Sequence, residues 1–230
     1  MTVESINDWT PAAVVFDCDG TLMDTESHWH GARAEVLRDF GIAAGPDFTA
    51  RAAGLHYSDC GRLMAETAGD PALAPEMTDR LLVSFRALVD ADPIPMPGAA
   101  ELVGRLSGFL PLAVASNCPR DVIEAGLDGA GLLRHFEHIV VPADGLAPKP
   151  EPDVYLTAAR LCGAEPTDCL AVEDTYCGIR SAVRAGLRVV GVGPHPSAEA
   201  REAVDLWVAT LDEPGLLDWA RRRSALALTG

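Results

Sequence analysis

The sequence predicts an α/β fold, with a Rossmann-like parallel sheet as its core and an inserted α-helical cap domain. Two observations predict it. Short apolar runs recur along the chain, and each is followed by turn residues and a helical pattern. Continuous apolar strands that alternate with helices are typical of a parallel sheet covered by helices on both faces. The second observation is a long stretch between the first two runs that has helical periodicity and no convincing strand.

Six apolar runs are the candidate strands of the core. They lie at residues 12–16, 112–115, 139–141, 170–172, 189–192 and 206–208. Several of these runs end directly at polar residues. In an open α/β sheet the ligand crevice lies at the carboxyl ends of the strands. The polar residues that follow the runs are therefore expected to converge, although they are far apart in the sequence.

The stretch from residue 25 to residue 92 is the candidate helical insertion. Its apolar residues recur at helical spacing, as in Ala32, Val36, Leu37 and Phe40. Prolines at 93, 95 and 97 follow it and indicate a stiff linker. We therefore predict a core formed by residues 1–24 and 93–230 and a helical cap formed by residues 25–92.

Composition limits the partners that the protein can have. The 230 residues carry a formal net charge of −16, and 48% of them are hydrophobic. An acidic chain repels nucleic acid and anionic membrane surfaces, so neither is an expected partner. The first ten residues are polar, and no segment approaches the ~18 apolar residues that span a bilayer. The six cysteines include no CxxC pair. We expect a soluble, cytoplasmic protein with reduced cysteines, either a monomer or a weak homodimer.

The first motif that suggests chemistry is Asp17-Cys18-Asp19-Gly20-Thr21, directly after the first apolar run. Asp17 and Asp19 are two residues apart, so both can point to the same side of an extended segment. One carboxylate can attack phosphorus and the other can handle a proton. Gly20 permits a sharp exit from the strand. An isolated DxD is usually a solvated turn, but DxDGT directly after an apolar strand indicates catalysis.

Three further positions near strand ends carry polar residues. Ser116 and Asn117 follow the second run, where a hydroxyl and backbone amides at a helix start can hold phosphate oxygens; Ser116 alone could equally be an N-cap. Lys149 is the one lysine in the chain and lies between prolines. It can neutralise phosphate charge, although a lone lysine is more often a surface residue. Glu173 and Asp174 follow another run, and such carboxylates repel one another unless a hard cation such as Mg²⁺ bridges them.

The sequence resembles the haloacid dehalogenase superfamily, and within it the helical-cap branch of sugar-phosphate phosphatases and β-phosphoglucomutase-like proteins. The resemblance rests on four motifs in family order and with family-like spacing, within residues 12–195. They are DCDGTLMDTE at 17–26, ASN at 115–117, KPEPDVY at 149–155 and VEDTYCGIRSAVRAG at 172–186. The resemblance implies a phosphohydrolase with a mobile cap that closes over the core and excludes water.

The resemblance also assigns roles to individual residues. It makes Asp17 the covalent nucleophile and Asp19 the general acid and base. It places Mg²⁺ on the Asp17 carboxylate, the Asp19 backbone carbonyl and Asp174, with Glu173 in support. The residues implied to hold the phosphate of the substrate are Ser116, Asn117 and Lys149.

Among the activities of this superfamily, a phosphatase is the preferred prediction. Asp19 argues against dehalogenases and phosphonatases, which resemble the rest of the motif but lack an aspartate there. Phosphonatases also need a cap lysine, and this cap has none. Mutases of this type place a cap-hinge histidine twelve residues after the nucleophile, where this chain has Trp29 between His28 and His30. A phosphosugar mutase remains the alternative, and a catalytically silent phosphate-sensing or interaction protein is a third reading that the fold permits.

The predicted substrate is a small phosphorylated metabolite, in particular a sugar phosphate. Glu26, which ends the first motif, is a predicted cap contact. Trp29 is a second, because it can stack on a sugar face, although it could equally pack inside the cap. Arg51 is a third and could also be a plain surface arginine; together with Gly54 and His56 it resembles the substrate-contacting loop of the branch. Because the chain is strongly acidic, a phosphate site must supply its own positive charge.

Overall fold

The computed structural model describes residue 6 and residues 8–52, 55–142 and 145–227. Its core is a six-stranded sheet in which neighbouring strands are parallel. The strands are β1 (Ala13–Phe16), β2 (Leu112–Ala115), β3 (His138–Val140), β4 (Cys169–Glu173), β5 (Arg188–Val192) and β6 (Leu206–Val208). Each strand coincides with one of the apolar runs, and the predicted α/β fold is confirmed.

Strand β1 lies inside the sheet and is buried on both faces. Its Val14 pairs with one residue of β2 and one residue of β4. Successive side chains point to opposite faces: Val14 and Phe16 belong to one apolar cluster, and Ala13 and Val15 belong to the other. A strand that is apolar on both faces is stable only between two covering layers, which is the reason for its unbroken apolar pattern.

The order of the strands reverses direction at β1. The order is β3-β2-β1-β4-β5-β6, so the chain adds β2 and β3 on one side of β1 and the remaining strands on the other. A reversal of this kind leaves a crevice outside the carboxyl ends of the strands, and ligands bind there in open α/β sheets. The residues that follow β1, β2 and β4 are therefore placed around one crevice.

In the described part of the stretch 25–92, four helices follow β1. They are α1 (Glu26–Asp39), α2 (Pro46–Ala52), α3 (Tyr57–Thr67) and α4 (Ala74–Ala91), with a 3₁₀ turn at Pro71–Leu73 before α4. The described residues of the stretch 25–92 contain no strand. Helix α4 packs against both α1 and α3. Its residues Met77, Leu81 and Phe85 recur every four positions on one face and are fully buried.

Six helices complete the fold. They are α5 (Ala99–Leu106), α6 (Arg120–Gly129), α7 (Asp153–Leu161), α8 (Tyr176–Ala185), α9 (Ala198–Glu202) and α10 (Pro214–Ala227). Short 3₁₀ turns lie at Leu133–His135 and Pro166–Asp168. Within the described part of the chain, no helix combines the length and the apolarity needed to cross a membrane.

The two connections between the sheet and helices α1–α4 are hydrogen-bonded to each other. The amide of Asp24 donates to the carbonyl of Ile94 at 2.8 Å, and the amide of Met96 donates to the carbonyl of Leu22 at 2.9 Å. Pro95 lies between the two bonded residues of the predicted linker and has no N–H to contribute. The paired segments form a short two-stranded connection through which α1–α4 are attached.

The apolar core is continuous from the sheet into these helices. Phe16 of β1 and Phe85 of α4 belong to the same cluster of buried side chains. An ion pair between Arg86 of α4 and Asp121 of α6 also joins the two regions, with Arg86 Nε 2.7 Å from Asp121 Oδ2. The hydrogen bond from Arg86 lowers the pKa of Asp121. The division into a core of residues 1–24 and 93–230 and a cap of residues 25–92 stays a proposal.

Candidate active site

The polar residues after the strands meet in one cavity at the crevice. Asp17 follows β1, Ser116 follows β2, Asp174 follows β4, and Lys149 comes from the loop before α7. The cavity is also lined from the side of helices α1 and α3. The described lining residues are Asp17, Asp19, Glu26, Trp29, Arg33, Leu55, Tyr57, Ser116, Asn117, Cys118, Lys149, Asp174, Thr175 and Cys177.

Lys149 is a buried cation held between two carboxylates. Its Nζ donates to Asp17 Oδ1 at 2.5 Å and to Glu173 Oε1 at 2.6 Å, and its side chain is 5% exposed. Burial alone would lower the pKa of Lys149, but Asp17 and Glu173 outweigh it and hold the pKa well above its usual value. Lys149 therefore stays charged and supplies the local positive charge that an acidic chain needs near a phosphate.

Burial raises the pKa of Asp17 to about 8. Lys149 opposes the increase, while the neighbouring Glu173 and Asp19 add to it. The side chain must be an ionised carboxylate to attack phosphorus. At neutral pH this requires further positive charge close to Asp17, beyond that of Lys149.

Glu173 organises the site through both of its oxygens. Oε1 accepts hydrogen bonds from Lys149 and from the hydroxyl of Tyr155, the latter at 2.9 Å. Oε2 accepts from the amides of Asp174 and Thr175 and from the Thr175 hydroxyl, each at 3.1 Å. A side chain on Gly178 would collide with this carboxylate. Glu173 thus fixes Lys149 and the start of α8, while its predicted supporting role at a metal stays a prediction.

Asp19 is held by two hydroxyl groups. The Thr25 hydroxyl donates to Oδ1 at 2.6 Å, and the Ser116 hydroxyl donates to Oδ2 at 3.2 Å. The amide of Cys118 in turn donates to the Ser116 oxygen at 2.9 Å. Burial raises the pKa of Asp19, and the hydrogen bonds from Thr25 and Ser116 only partly oppose this. A carboxyl group with a raised pKa can hold a proton and give it up, as a general acid must.

Asn117 holds the loop that carries Lys149. Its Nδ2 donates to the Lys149 carbonyl at 3.2 Å, and its Oδ1 accepts from the Lys149 amide at 2.9 Å. This pair of bonds fixes the backbone of Lys149 against the end of β2. Asn117 is therefore a positioning residue for the lysine, and its predicted contact with substrate stays a prediction.

Three carboxylates form a group that could hold a metal ion. Oxygen atoms of Asp17, Glu173 and Asp174 all lie within 4.8 Å of one another. Burial raises the pKa of Asp174 well above its usual value, and the charges of Asp17 and Glu173 raise it further. The hydroxyl of Thr21 donates to Asp174 at 3.1 Å. Oxygen-only donors with this much uncompensated negative charge fit a hard divalent cation such as Mg²⁺. Asp17 and Asp174 would hold it, because the oxygens of Glu173 are already hydrogen-bonded.

The backbone at Gly20 lies directly against the Asp174 carboxylate. Gly20 has φ +83°, which L side chains rarely adopt, and a Cβ there would collide with the Asp174 carboxylate. The glycine of the DxDGT motif is therefore required for conformation and for space. The predicted use of the Asp19 carbonyl by a metal is compatible with this turn and stays a prediction.

The residues that line the cavity from the helices differ in part from the predicted cap contacts. Glu26 and Trp29 line it, but one face of the Trp29 indole is covered by Phe85, with ring centroids 3.6 Å apart and an interplanar angle of 12°. Only the other face can therefore meet a ligand. Arg51 is not among the described lining residues; its side chain is 56% exposed and lies 3.8 Å from Glu66.

The remaining predicted cap positions lie outside the cavity or outside the described residues. His28, His30 and His56 are not among the described lining residues. His56 instead caps α3, where its Nδ1 accepts from the amide of Ser58. Gly54 falls outside the described part of the chain.

Some residues of the site were not assigned a role from the sequence, among them Thr25, Tyr155, Tyr57 and Arg33. Thr25 and Tyr155 lie inside the quoted motifs and contact Asp19 and Glu173. Tyr57 and Arg33 line the cavity from the helices. The signal for Thr25 and Tyr155 was their membership of the motifs, whereas the sequence carries no local signal that Arg33 or Tyr57 faces the strand ends.

Fold and site together define an α/β enzyme that works with buried carboxylates and one lysine at the carboxyl ends of parallel strands. The family model described as a haloacid dehalogenase-like hydrolase matches residues 11–186. The chain belongs to the haloacid dehalogenase-like hydrolases and is a phosphatase-type enzyme.

Individual relatives agree with this family over most of the chain. The chain is 35% identical over 189 residues to the fructose-1-phosphate phosphatase of Escherichia coli, which covers 79% of this chain and 96% of the relative. It is 28% identical over 227 residues to the β-phosphoglucomutase of Bacillus subtilis, with 92% and 96% covered. The crystal structure of β-phosphoglucomutase from Clostridium difficile has the same fold, with a TM-score of 0.79, 20% identity, and 94% of this chain and 100% of that chain covered.

Proposed function

We propose that this protein is a Mg²⁺-dependent phosphomonoester hydrolase that acts on small phosphorylated metabolites, in particular sugar phosphates, through an aspartyl-phosphate on Asp17. The observation that carries the proposal is the position of Lys149 Nζ, 2.5 Å from Asp17, with Asp19 held next to them by Thr25 and Ser116. This arrangement provides a nucleophile, its counter-charge and a proton donor in one cavity. The activity named for the Escherichia coli relative supports a sugar phosphate as substrate.

Two steps follow from these residues. An oxygen of Asp17 attacks phosphorus while the protonated Asp19 gives its proton to the departing alkoxide. The ionised Asp19 then takes a proton from water, and the resulting hydroxide attacks the phosphorus and releases inorganic phosphate from Asp17. Lys149 offsets the negative charge around Asp17 in both steps. A Mg²⁺ held by Asp17 and Asp174 would supply Lewis-acid charge that offsets the negative charge of the reacting phosphate.

A phosphosugar mutase is the second candidate, because the relative from Bacillus subtilis is named as one. A hydrolase must admit water to the aspartyl-phosphate, whereas a mutase must offer it a second sugar hydroxyl. Trp29 stands where mutases of this type are expected to have a histidine, and its ring offers no basic atom. Neither His28 nor His30 is among the described residues that line the cavity. These observations favour the hydrolase.

Phosphorus NMR separates the two candidates. With β-glucose 1-phosphate and Mg²⁺, we expect inorganic phosphate to be the main product, with little glucose 6-phosphate. Addition of a hexose bisphosphate is expected not to raise turnover. A hydrolase does not need a bisphosphate to phosphorylate the enzyme before each turnover. Accumulation of glucose 6-phosphate faster than inorganic phosphate would show that the protein is a mutase.

Asp19→Asn tests the general acid. General acid catalysis is worth about 10²–10⁴-fold, so we expect a loss of that size for a sugar phosphate, whose alkoxide is a poor leaving group. An aryl phosphate needs less protonation, and its phosphorylation step should lose less. Single-turnover measurements on both substrates give the comparison. Equal losses in the phosphorylation step on the two substrates would exclude Asp19 as the acid.

We further propose a cytoplasmic location and a monomeric or weakly dimeric state. The location rests on the polar first residues, the lack of a long apolar segment in the sequence and the isolated cysteines. Size-exclusion chromatography with light scattering would measure the oligomeric state.

A further inference from the structure

Arg33 is a buried guanidinium on α1 that faces the active-site cavity. The residue is 5% exposed and is among the residues that line the cavity. Its Nε and Nη1 atoms are buried and have no hydrogen-bond acceptor. Buried arginine donors are normally hydrogen-bonded, because a charged donor without a partner is costly to remove from water. These two nitrogen atoms therefore lack acceptors, and an acidic ligand group in the cavity would supply them.

The neighbours of Arg33 do not satisfy these donors. Glu26 Oε1 lies 3.6 Å from Nη1, which is too long for a hydrogen bond, and the Glu26 side chain is 60% exposed. The guanidinium carbon lies 5.8 Å from the centre of the Trp29 ring. Burial raises the pKa of the Cys60 thiol, and the charge of Arg33 and a hydrogen bond from Arg33 oppose this. A thiol is a weak acceptor, and Nε and Nη1 remain without one. The ion pair between Glu26 and Arg33 is long and exposed on the Glu26 side, so a ligand can replace Glu26 as the partner of Arg33.

The cavity lining contains a second cationic side chain besides Lys149. Among the described lining residues, Lys149 and Arg33 are the cationic side chains. Lys149 is already paired with Asp17 and Glu173. Arg33 is thus the cationic side chain of the cavity lining whose Nε and Nη1 atoms have no hydrogen-bond acceptor.

We propose, on the basis of the proposed function, that Arg33 binds an acidic group on the part of the substrate that is not transferred. The phosphate to be transferred must lie at Asp17, and in-line attack places the leaving group on the far side of phosphorus. Arg33 belongs to the helical wall of the cavity and not to the strand ends that hold Asp17. The substrate class is then a phosphorylated sugar acid or a sugar bisphosphate, in which a carboxylate or second phosphate meets Arg33.

A matched pair of substrates tests the inference. 6-Phosphogluconate and glucitol 6-phosphate have the same open six-carbon chain and differ only in a carboxylate or a hydroxymethyl group at the far end. We expect kcat/KM of the wild-type protein to be at least about tenfold higher for the acid, since hydrogen bonds to charged groups are the stronger ones. Arg33→Gln should reduce this ratio by about 10–100-fold, mainly through KM for the acid.

Arg38→Gln is the matched control, because Arg38 lies on the same helix, is exposed and is absent from the cavity lining. It should keep the wild-type ratio. Melting temperatures are measured for all variants. If Arg33→Gln does not fold, Arg33→Lys keeps the charge with different geometry and should lower the ratio by a smaller amount.

The possible outcomes separate this inference from the proposed function. Equal kcat/KM of the wild-type protein for the acid and the alcohol overturns the inference and leaves the hydrolase intact. A loss in the Arg33 variant that is equal for both substrates also overturns it and assigns Arg33 to the transferred phosphate. Failure of the wild-type protein to release phosphate from either substrate and from p-nitrophenyl phosphate overturns the proposed function itself.

Discussion

Asp17→Asn is expected to abolish release of inorganic phosphate while leaving the protein folded. The amide cannot attack phosphorus, so no aspartyl-phosphate can form. Removal of the nucleophile from a residue set that acts as a unit typically costs more than about 10⁴-fold in kcat. The fold should survive because Lys149, which loses Asp17 as a charged partner, keeps Glu173 at 2.6 Å.

The experiment compares phosphate release and the melting temperature of Asp17→Asn with those of Asp128→Asn. Asp128 is exposed on α6 and receives the same chemical change, so its variant should keep wild-type activity. Intact-mass measurement ensures that the amide has not been hydrolysed back to the acid. Mg²⁺-dependent hydrolysis by the pure Asp17→Asn protein, above background, would falsify the covalent role of Asp17.

Removal of divalent cations is expected to inactivate the enzyme, and Mg²⁺ is expected to restore activity. The carboxylates of Asp17, Glu173 and Asp174 lie close together. Lys149 forms ion pairs with Asp17 and Glu173, and one lysine cannot offset the charge of three carboxylates. Ca²⁺ should restore little activity, since it takes more ligands at longer distances than the octahedral Mg²⁺ and would misplace the Asp17 carboxylate. Full activity in excess chelator would contradict a metal role.

Thermal unfolding gives a second measurement of the same site. Mg²⁺ at about 100 times its Kd should raise the melting temperature by about 5–10 °C. Burial raises the pKa of Asp17 to about 8 in the folded protein, from an ordinary value of 3.8. The metal-free fold therefore loses stability as pH rises from about 4 to about 8. Mg²⁺ competes with the proton on this carboxyl, so its stabilising effect should be larger at pH 8 than at pH 5. Asp174→Asn should weaken it at both pH values.

Local patterns in the sequence were enough to predict the architecture. The six strands lie at unbroken apolar runs because a strand between two helical layers must be apolar on both faces. The helical segment after β1 follows from the helical spacing of apolar residues, as at Ala32, Val36 and Leu37. The convergence of Asp17, Ser116 and Asp174 followed from topology, since parallel strands end at the same edge of the sheet.

The α/β fold, the helical segment after β1 and the polar residues at the strand ends can all be predicted from the sequence alone. The contacts that these residues make depend on the tertiary structure. Tyr155 reaches Glu173, and Phe85 covers one face of Trp29 from 56 positions along the chain. Arg33 is turned toward the cavity, while Arg51 is exposed. The physical reason is that periodicity reports which face of an element is apolar, whereas a hydrogen bond depends on how distant elements pack against one another.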